Sequence, residues 1–233
     1  MEIHPSHIKR YELAKQYTFG KTVLDAGCAD GFGTAMLAEN AAKVVGVDND
    51  PTLVAVAKKR CASVGNIEFV TGDVRKLPFA DNTFDVAVSF EIIEHFIQQE
   101  IFLGELNRVV KDGGIVIIST PNHTANEKIG VYQPHHEGHG HPRELTFDQF
   151  FYLMSQHFDH PEFFGQFFYN EPSLRDMVKN KIKRLDVLKL RKLIPGNVRD
   201  KHNPSIHVYG QEDTIKKLTA PAVQMLAIGI NKK

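Results

Sequence analysis

The sequence predicts an α/β protein: a doubly wound, mainly parallel seven-stranded sheet with helices on both faces, in a single domain over residues 1–233. Three observations predict it. Short apolar, β-branched runs alternate with segments of helical spacing over the first half of the chain, the pattern of parallel strands joined by crossover helices. A glycine-rich turn separates the first run from the first helix, and a last apolar run near the C-terminus is suited to return to the sheet. A chain of 233 residues buries most of its apolar surface without staples, and its crossovers are right-handed by default.

The elements follow in order. Residues 22–26 form the first strand, and apolar residues at helical spacing follow over 33–40. Lys43 to Asp48 is the second strand. Asp50 and Pro51, an N-cap acid and a proline at the first helical position, open a helix to about residue 63. Residues 67–70 and 84–90 are the third and fourth strands, and a helix runs from about 96 to 110. Asp112, Gly113 and Gly114 break it before a buried fifth strand over 115–119. After Pro121 the pattern changes. Residues 122–143 hold five histidines and no clear period, so they read as a long loop, which in a compact domain is usually functional. It starts at the end of a strand and contains Gly130, Gly138 and Gly140, so a lid over an acceptor site is expected. Thr146 and Gln149 make a capping box for a helix to about 157. Residues 162–168 are a strand, 174–201 a basic helical insertion, and 223–230 the last strand.

Composition narrows the function classes. Apolar residues make up 42% and charged residues 24%, ordinary for a globular protein. The 28 basic and 28 acidic residues balance, which argues against a broad nucleic-acid footprint. Cys28 and Cys61 are too few for a disulfide framework and fit a reducing cytosol. No apolar run suits a signal peptide or a membrane span, so a cytoplasmic location is expected. Residues 175–201 carry ten lysines and arginines against Asp176, Asp186 and Asp200. They read either as a helix with a solvated basic face or as a contact for anionic partners, including the inner membrane surface. Few aromatics interleave there, which disfavours stacking of single-stranded RNA.

The turn Asp25, Gly27, Cys28, Ala29, Gly31, Gly33 lies between a strand and a helix. Its glycines let a ligand approach the backbone, and the helix start offers free N–H groups. Asp48 and Asn49 follow at the end of the second strand, where an acid binds ribose hydroxyls in Rossmann-like sites. The dinucleotide spacing Gly-x-Gly-x-x-Gly is absent. Asp25 would repel a pyrophosphate but suits the amino group of a methionine moiety.

This run resembles motif I of the class I S-adenosylmethionine-dependent methyltransferases. Gly72, Asp73 and Val74, then Leu77, Pro78 and Phe79 ahead of Phe84, Asp85 and Val86, resemble the motifs that follow it. The resemblance is dense over 21–122. It implies S-adenosylmethionine as cofactor, with Asp73 on the adenine amino group, Val74 supplying backbone contacts, and Phe90 nearby. Ala29 departs from the family's usual glycine, and its methyl group could crowd the methionine end.

Glu91, Glu94 and His95 form Glu-x-x-Glu-His at the end of the fourth strand, where ligand and catalytic groups gather in open α/β sheets. With Ser119 to Asn122 and His139 to Thr146, they look like a branch of surface-glycan, lipopolysaccharide-cluster and quinone-biosynthesis O-methyltransferases. Arg10 and Tyr11 resemble the glycan-type members. The implied reaction is methyl transfer to a hydroxyl of a sugar or glycoconjugate acceptor. The alternatives are a quinone-precursor or other small-molecule acceptor, an RNA 3′-terminal 2′-hydroxyl, and a non-catalytic S-adenosylmethionine-binding protein. The same pattern is similar to that of small-RNA 2′-O-methyltransferases, which implies Glu91, Glu94, His95 and His141 as ligands of a divalent cation. Mg²⁺, Mn²⁺ and Zn²⁺ all suit oxygen and imidazole donors, and the ion would acidify a bound hydroxyl. The other reading keeps Glu91 as a turn residue and His95 as a general base or a core histidine. Two neighbouring carboxylates need a cation, a basic side chain or a shared proton between them, and Arg143 is the basic candidate.

Overall fold

The computed structural model describes residues 5–124, 143–166, 206–209 and 224–233. The chain order is α1 (Pro5–Lys15), β1 (Thr22–Ala26), α2 (Phe32–Ala38), β2 (Lys43–Asp48), α3 (Pro51–Arg60), β3 (Ile67–Thr71) and β4 (Phe84–Phe90). A short 3₁₀ turn (Ile93–His95) follows, then α4 (Gln99–Val109), β5 (Val110–Pro121), α5 (Phe147–His157), β6 (Phe158–Gln166), β7 (Ile206–Tyr209) and β8 (Gln224–Asn231). The strands make one sheet in the order β3-β2-β1-β4-β5-β8-β6-β7. The first five run parallel, and β8 is inserted antiparallel between β5 and β6. This is the expected Rossmann-like sheet with β7 added as a four-residue edge strand.

Local chemistry explains the element starts. The Asp50 side chain accepts from the Thr52 N–H with Pro51 in the first turn of α3, and α5 opens on the full Thr146–Gln149 capping box. Strand alternation then divides the core. On one sheet face Val23, Val86, Val88, Ile117 and Leu226 pack with Tyr11 and Leu37 of α1 and α2. On the other, Leu24, Ala87, Ile118 and Ala227 pack with Phe102, Leu106 and Phe150 of α4 and α5. Fully burying side chains such as Phe102 and Leu106 contributes about 1.5–3 kcal/mol each.

Three local expectations change. Helix α1 is additional, and it docks on α2 through Tyr11 and Gly33. Helix α4 starts at Gln99 because the 3₁₀ turn occupies 93–95. Gly113 and Gly114 do not interrupt the chain between helix and strand; β5 runs through them with a register shift opposite Phe84 and Val86. The lid expected over 122–143 is described only at its ends, and the basic insertion over 174–201 lies outside the described residues. Among the described residues no helix is long and apolar enough to cross a membrane.

Candidate functional site

Parallel pairing brings the carboxyl ends of β1, β2, β4 and β5 to one edge of the sheet. The turn after β1 is fastened there by the Gly27 and Cys28 N–H groups, which donate to the Val47 carbonyl at 2.8 and 3.0 Å. Gly27 has φ +87°, and a Cβ on it would lie 2.3 Å from Ile92 Cδ1, so both conformation and space require glycine. Ala29 also takes a left-handed conformation, φ +45°. Its N–H donates to Asp48 at 2.9 Å, and the Asp50 N–H donates to the other Asp48 oxygen at 3.0 Å. Asp48 is thereby held with lone pairs to spare.

A cleft of about 390 Å³ opens at this edge, lined by Gly27, Asp48, Asn49, Gly72, Asp73, Val74, Arg75, Ile92, His95 and Phe96. That is within the size range of small-ligand sites. Gly27, Asp48, Asn49, Asp73, Val74 and His95 thus converge as the sequence suggested. Ala29 and Gly31 shape the turn without lining the cleft. Cys28 is buried with Val54, Ala57 and Phe69, and burial pushes its thiol far up. Phe90 packs edge-on against Tyr11, 4.9 Å between centroids. Asp25 is buried too, accepting from Thr34 Oγ1 at 2.7 Å and Tyr11 OH at 3.2 Å. Burial raises its carboxyl to about 6, although both hydroxyls pull the other way. Its two oxygens tie the turn to α2 and α1.

The cleft residues that the sequence reading missed are Arg75, Ile92 and Phe96, while Gly72 was read only as part of a motif. The Arg75 guanidinium grips both Asp73 oxygens, with Nε at 3.0 Å and Nη2 at 2.7 Å, and lies 5.0 Å from the Phe96 ring centroid. The Arg75 hydrogen bond holds the Asp73 carboxyl below its ordinary range. A basic residue two positions after an acid was the available clue, since the Arg75 N–H also closes a turn on Asp73 at 2.8 Å.

The Glu-x-x-Glu-His segment is divided. Glu91 has φ +59°. Its Oε1 accepts from Arg10 Nη1 and Ser119 Oγ, both at 2.8 Å, and its Oε2 accepts from Gln224 Nε2. Arg10 Nη1 also donates to Gln224 Oε1. Arg10 is fully buried, and its Nε and Nη2 have no hydrogen-bond partner among the described residues. Glu94 is buried, accepting from Thr120 Oγ1 at 3.2 Å, with no partner for Oε1 among the described residues. Burial, then the neighbouring Glu91 charge, pushes its carboxyl well above the usual range. Ser119 and Thr120 are consecutive in β5 and face opposite sides of the sheet, so Glu91 and Glu94 are anchored on opposite sides.

Arg143 is not the basic partner: its guanidinium donates to the Ile97 carbonyl at 2.9 Å, and Arg10 neutralises Glu91 instead. His141 lies outside the described residues. Among those described, no three His, Cys, Asp or Glu side chains group to hold a metal. A bridging cation does not fit this arrangement, because Glu91 is committed to three donors and Glu94 to the other face.

Residues 24–118 match the family model for a methyltransferase domain. Over that stretch the chain is similar to methyltransferase domains. A Mycolicibacterium smegmatis protein named as a probable S-adenosylmethionine-dependent methyltransferase is 39% identical over 112 residues, 48% of this chain and 42% of that protein. The ubiquinone biosynthesis O-methyltransferase of Azorhizobium caulinodans is 34% identical over 106 residues, 45% of this chain and 42% of that protein. The chain therefore spans less than half the length of these curated relatives. The solved phosphoethanolamine N-methyltransferase 2 of Haemonchus contortus, in complex with S-adenosylmethionine, shares the fold with a TM-score of 0.61 at 16% identity, over 97% of this chain and 53% of that one.

The matched stretch contains the turn, Asp48, Asp73 and the Glu-x-x-Glu-His segment, but neither Arg10 nor Gln224. Chemically the cleft offers carboxylates for hydroxyl and amino groups. It also offers an imidazole, the side chain most used for general acid–base work.

Proposed function

We propose that this protein is an S-adenosylmethionine-dependent O-methyltransferase whose acceptor is a small-molecule hydroxyl of the quinone-precursor, phenolic kind. The observation that carries this reading is the single cleft shared by Gly27, Asp48, Asn49, Asp73 and Val74 with His95. Asp48 accepts the ribose hydroxyls, Asp73 and Val74 meet the adenine, and the Gly27 turn lets the cofactor approach the backbone. The bound cofactor supplies an electrophilic methyl on sulfonium. His95 takes the proton as the acceptor oxygen gains the methyl group, and orienting the acceptor in line is much of the catalysis. Asp25 acts at one remove, tying α1 and α2 to the turn.

The names of the relatives favour the phenolic acceptor over a sugar. The glycan reading leaned on Arg10 and Tyr11, and both are buried and engaged with acids, so neither is offered to an acceptor. Calorimetry with S-adenosylmethionine tests the cofactor site: tight binding by the wild type and loss of about tenfold or more in Asp48→Ala is expected, since hydrogen bonds to a charged group contribute about 1.5–3 kcal/mol. Undiminished affinity in the variant removes Asp48 from the ribose. A radiolabelled-methyl assay over dihydroxyphenols and monosaccharides tests the acceptor. Transfer to sugars but not phenols reverses the choice.

A further inference from the structure

We propose that Arg10 is the resident cation of the Glu91–Glu94–His95 segment, holding Glu91 in place as a brace under His95 so that the segment takes up no divalent ion. Four observations carry this. Glu91 sits at φ +59°, a conformation that a side chain with Cβ adopts only when its surroundings hold it there. What holds it comes from three separate elements: Arg10 of α1, Ser119 of β5 and Gln224 of β8. Arg10 is buried and paired with the partly buried Glu91, so its charge is fixed at the spot where a metal would have to enter, and like charges at that range repel. Glu94, the other acid of the segment, is bonded to Thr120 on the opposite side of β5. A cation would need oxygens of both at roughly 2.0–2.6 Å.

The consequence for the site is mechanical. Glu91 is the last residue before the turn that carries His95, whose N–H closes on the Ile92 carbonyl at 3.1 Å. Arg10 therefore acts on the cleft through Glu91, as a positioning residue. Arg10 and Gln224 both lie outside the matched stretch 24–118, so the flanks of the domain supply this compensation. Only the activity arm of the test rests on the methyltransferase reading.

The first arm titrates the full chain with Mn²⁺, followed by electron paramagnetic resonance. No binding is expected up to millimolar metal. Stoichiometric Mn²⁺ binding that Glu91→Gln or Glu94→Gln abolishes overturns the proposal. The second arm compares Arg10→Met, Glu91→Met and the double variant by thermal unfolding. Glu91→Met strands the buried Arg10 charge and Arg10→Met the partly buried Glu91 charge, so both are expected to be less stable, Glu91→Met the more so, whereas the double variant recovers much of the loss. Additive losses overturn the pairing, and the double variant keeps the comparison available if Arg10→Met does not fold. The third arm measures turnover in chelator. Wild-type kcat is expected to persist, and Arg10→Met to lose about 100-fold in kcat with little change in the KM for S-adenosylmethionine, partly rescued by Arg10→Lys. An equal loss through KM overturns the positioning role. If no variant or wild type binds S-adenosylmethionine at all, the methyltransferase reading fails while the first two arms still decide the role of Arg10.

Discussion

Asp25 brings a carboxylate to a place from which water is excluded, and its proton equilibrium records the cost. Its folded-state value of about 6 stands above the ordinary 3.8. Between those values the folded protein binds more protons than the unfolded chain, so stability rises as pH falls from about 6 towards 4. At neutral pH the ionised group costs on the order of 3 kcal/mol. Asp25→Asn is expected to lose this gain, giving a flatter midpoint-against-pH curve in urea unfolding between pH 4 and 6 than the wild type. Because burial also raises Glu94, the difference between the two proteins, not the wild-type slope, isolates Asp25. Ala29 offers a second measurement. At φ +45° its methyl group is strained, so Ala29→Gly should stabilise the fold by about 1 kcal/mol, seen as a higher urea midpoint with an unchanged slope. At this scale the sequence was a good guide to residues whose place is set by backbone position, such as Gly27 and Asp48, which both line the cleft. It gave no sign that Asp25 and Phe90 are buried against Tyr11, because Tyr11 sits on a helix that was not foreseen.

That helix, α1, escaped the sequence reading for a physical reason. Its buried face comprises Arg10, Tyr11 and Ala14, so an arginine occupies the apolar stripe and the helical period does not register. The face makes sense only once Asp25 and Glu91 are known to wait for it. The fit to α2 is close: a Cβ on Gly33 would lie 1.9 Å from Tyr11 Cζ. Gly33→Ala is expected to displace Tyr11, cost about 1–3 kcal/mol and speed hydrogen exchange across residues 8–15. The same change at Gly104 in α4 meets nothing within 4 Å and should stabilise by about 0.5–1 kcal/mol, since glycine disfavours helix interiors. If the two variants behave alike, the docking of α1 is looser than the packing implies.

The sheet as a whole was legible where strands alternate with helices, because β1 to β5 announce themselves by buried apolar runs and cap residues. The edge strand β7 is four residues long, too short to show a period among its neighbours. Strand β8 holds the two halves together, pairing with β5 from Ile115 to Pro121 and with β6 from Phe158 to Gln166. Asn231 at its end donates to the carbonyls of Asn107, Val110 and Lys111. Ending the chain after residue 223 is therefore expected to abolish the cooperative thermal transition seen by circular dichroism. A truncated protein that melts at the wild-type temperature would show that the parallel half folds without β8.

The position of β8 also sets a timetable for biosynthesis. A ribosome finishes β6 at Gln166, yet the strand that must lie between β5 and β6 begins only at Gln224. At about 5–20 residues per second, residues 167–223 take roughly 3–11 seconds to translate. Throughout that interval the edge of β5 has no neighbour, and an unpaired strand edge invites pairing with other nascent chains. Translation pace over this stretch, and the chaperones that meet the polypeptide as it emerges, bear on how much of the protein reaches its native form.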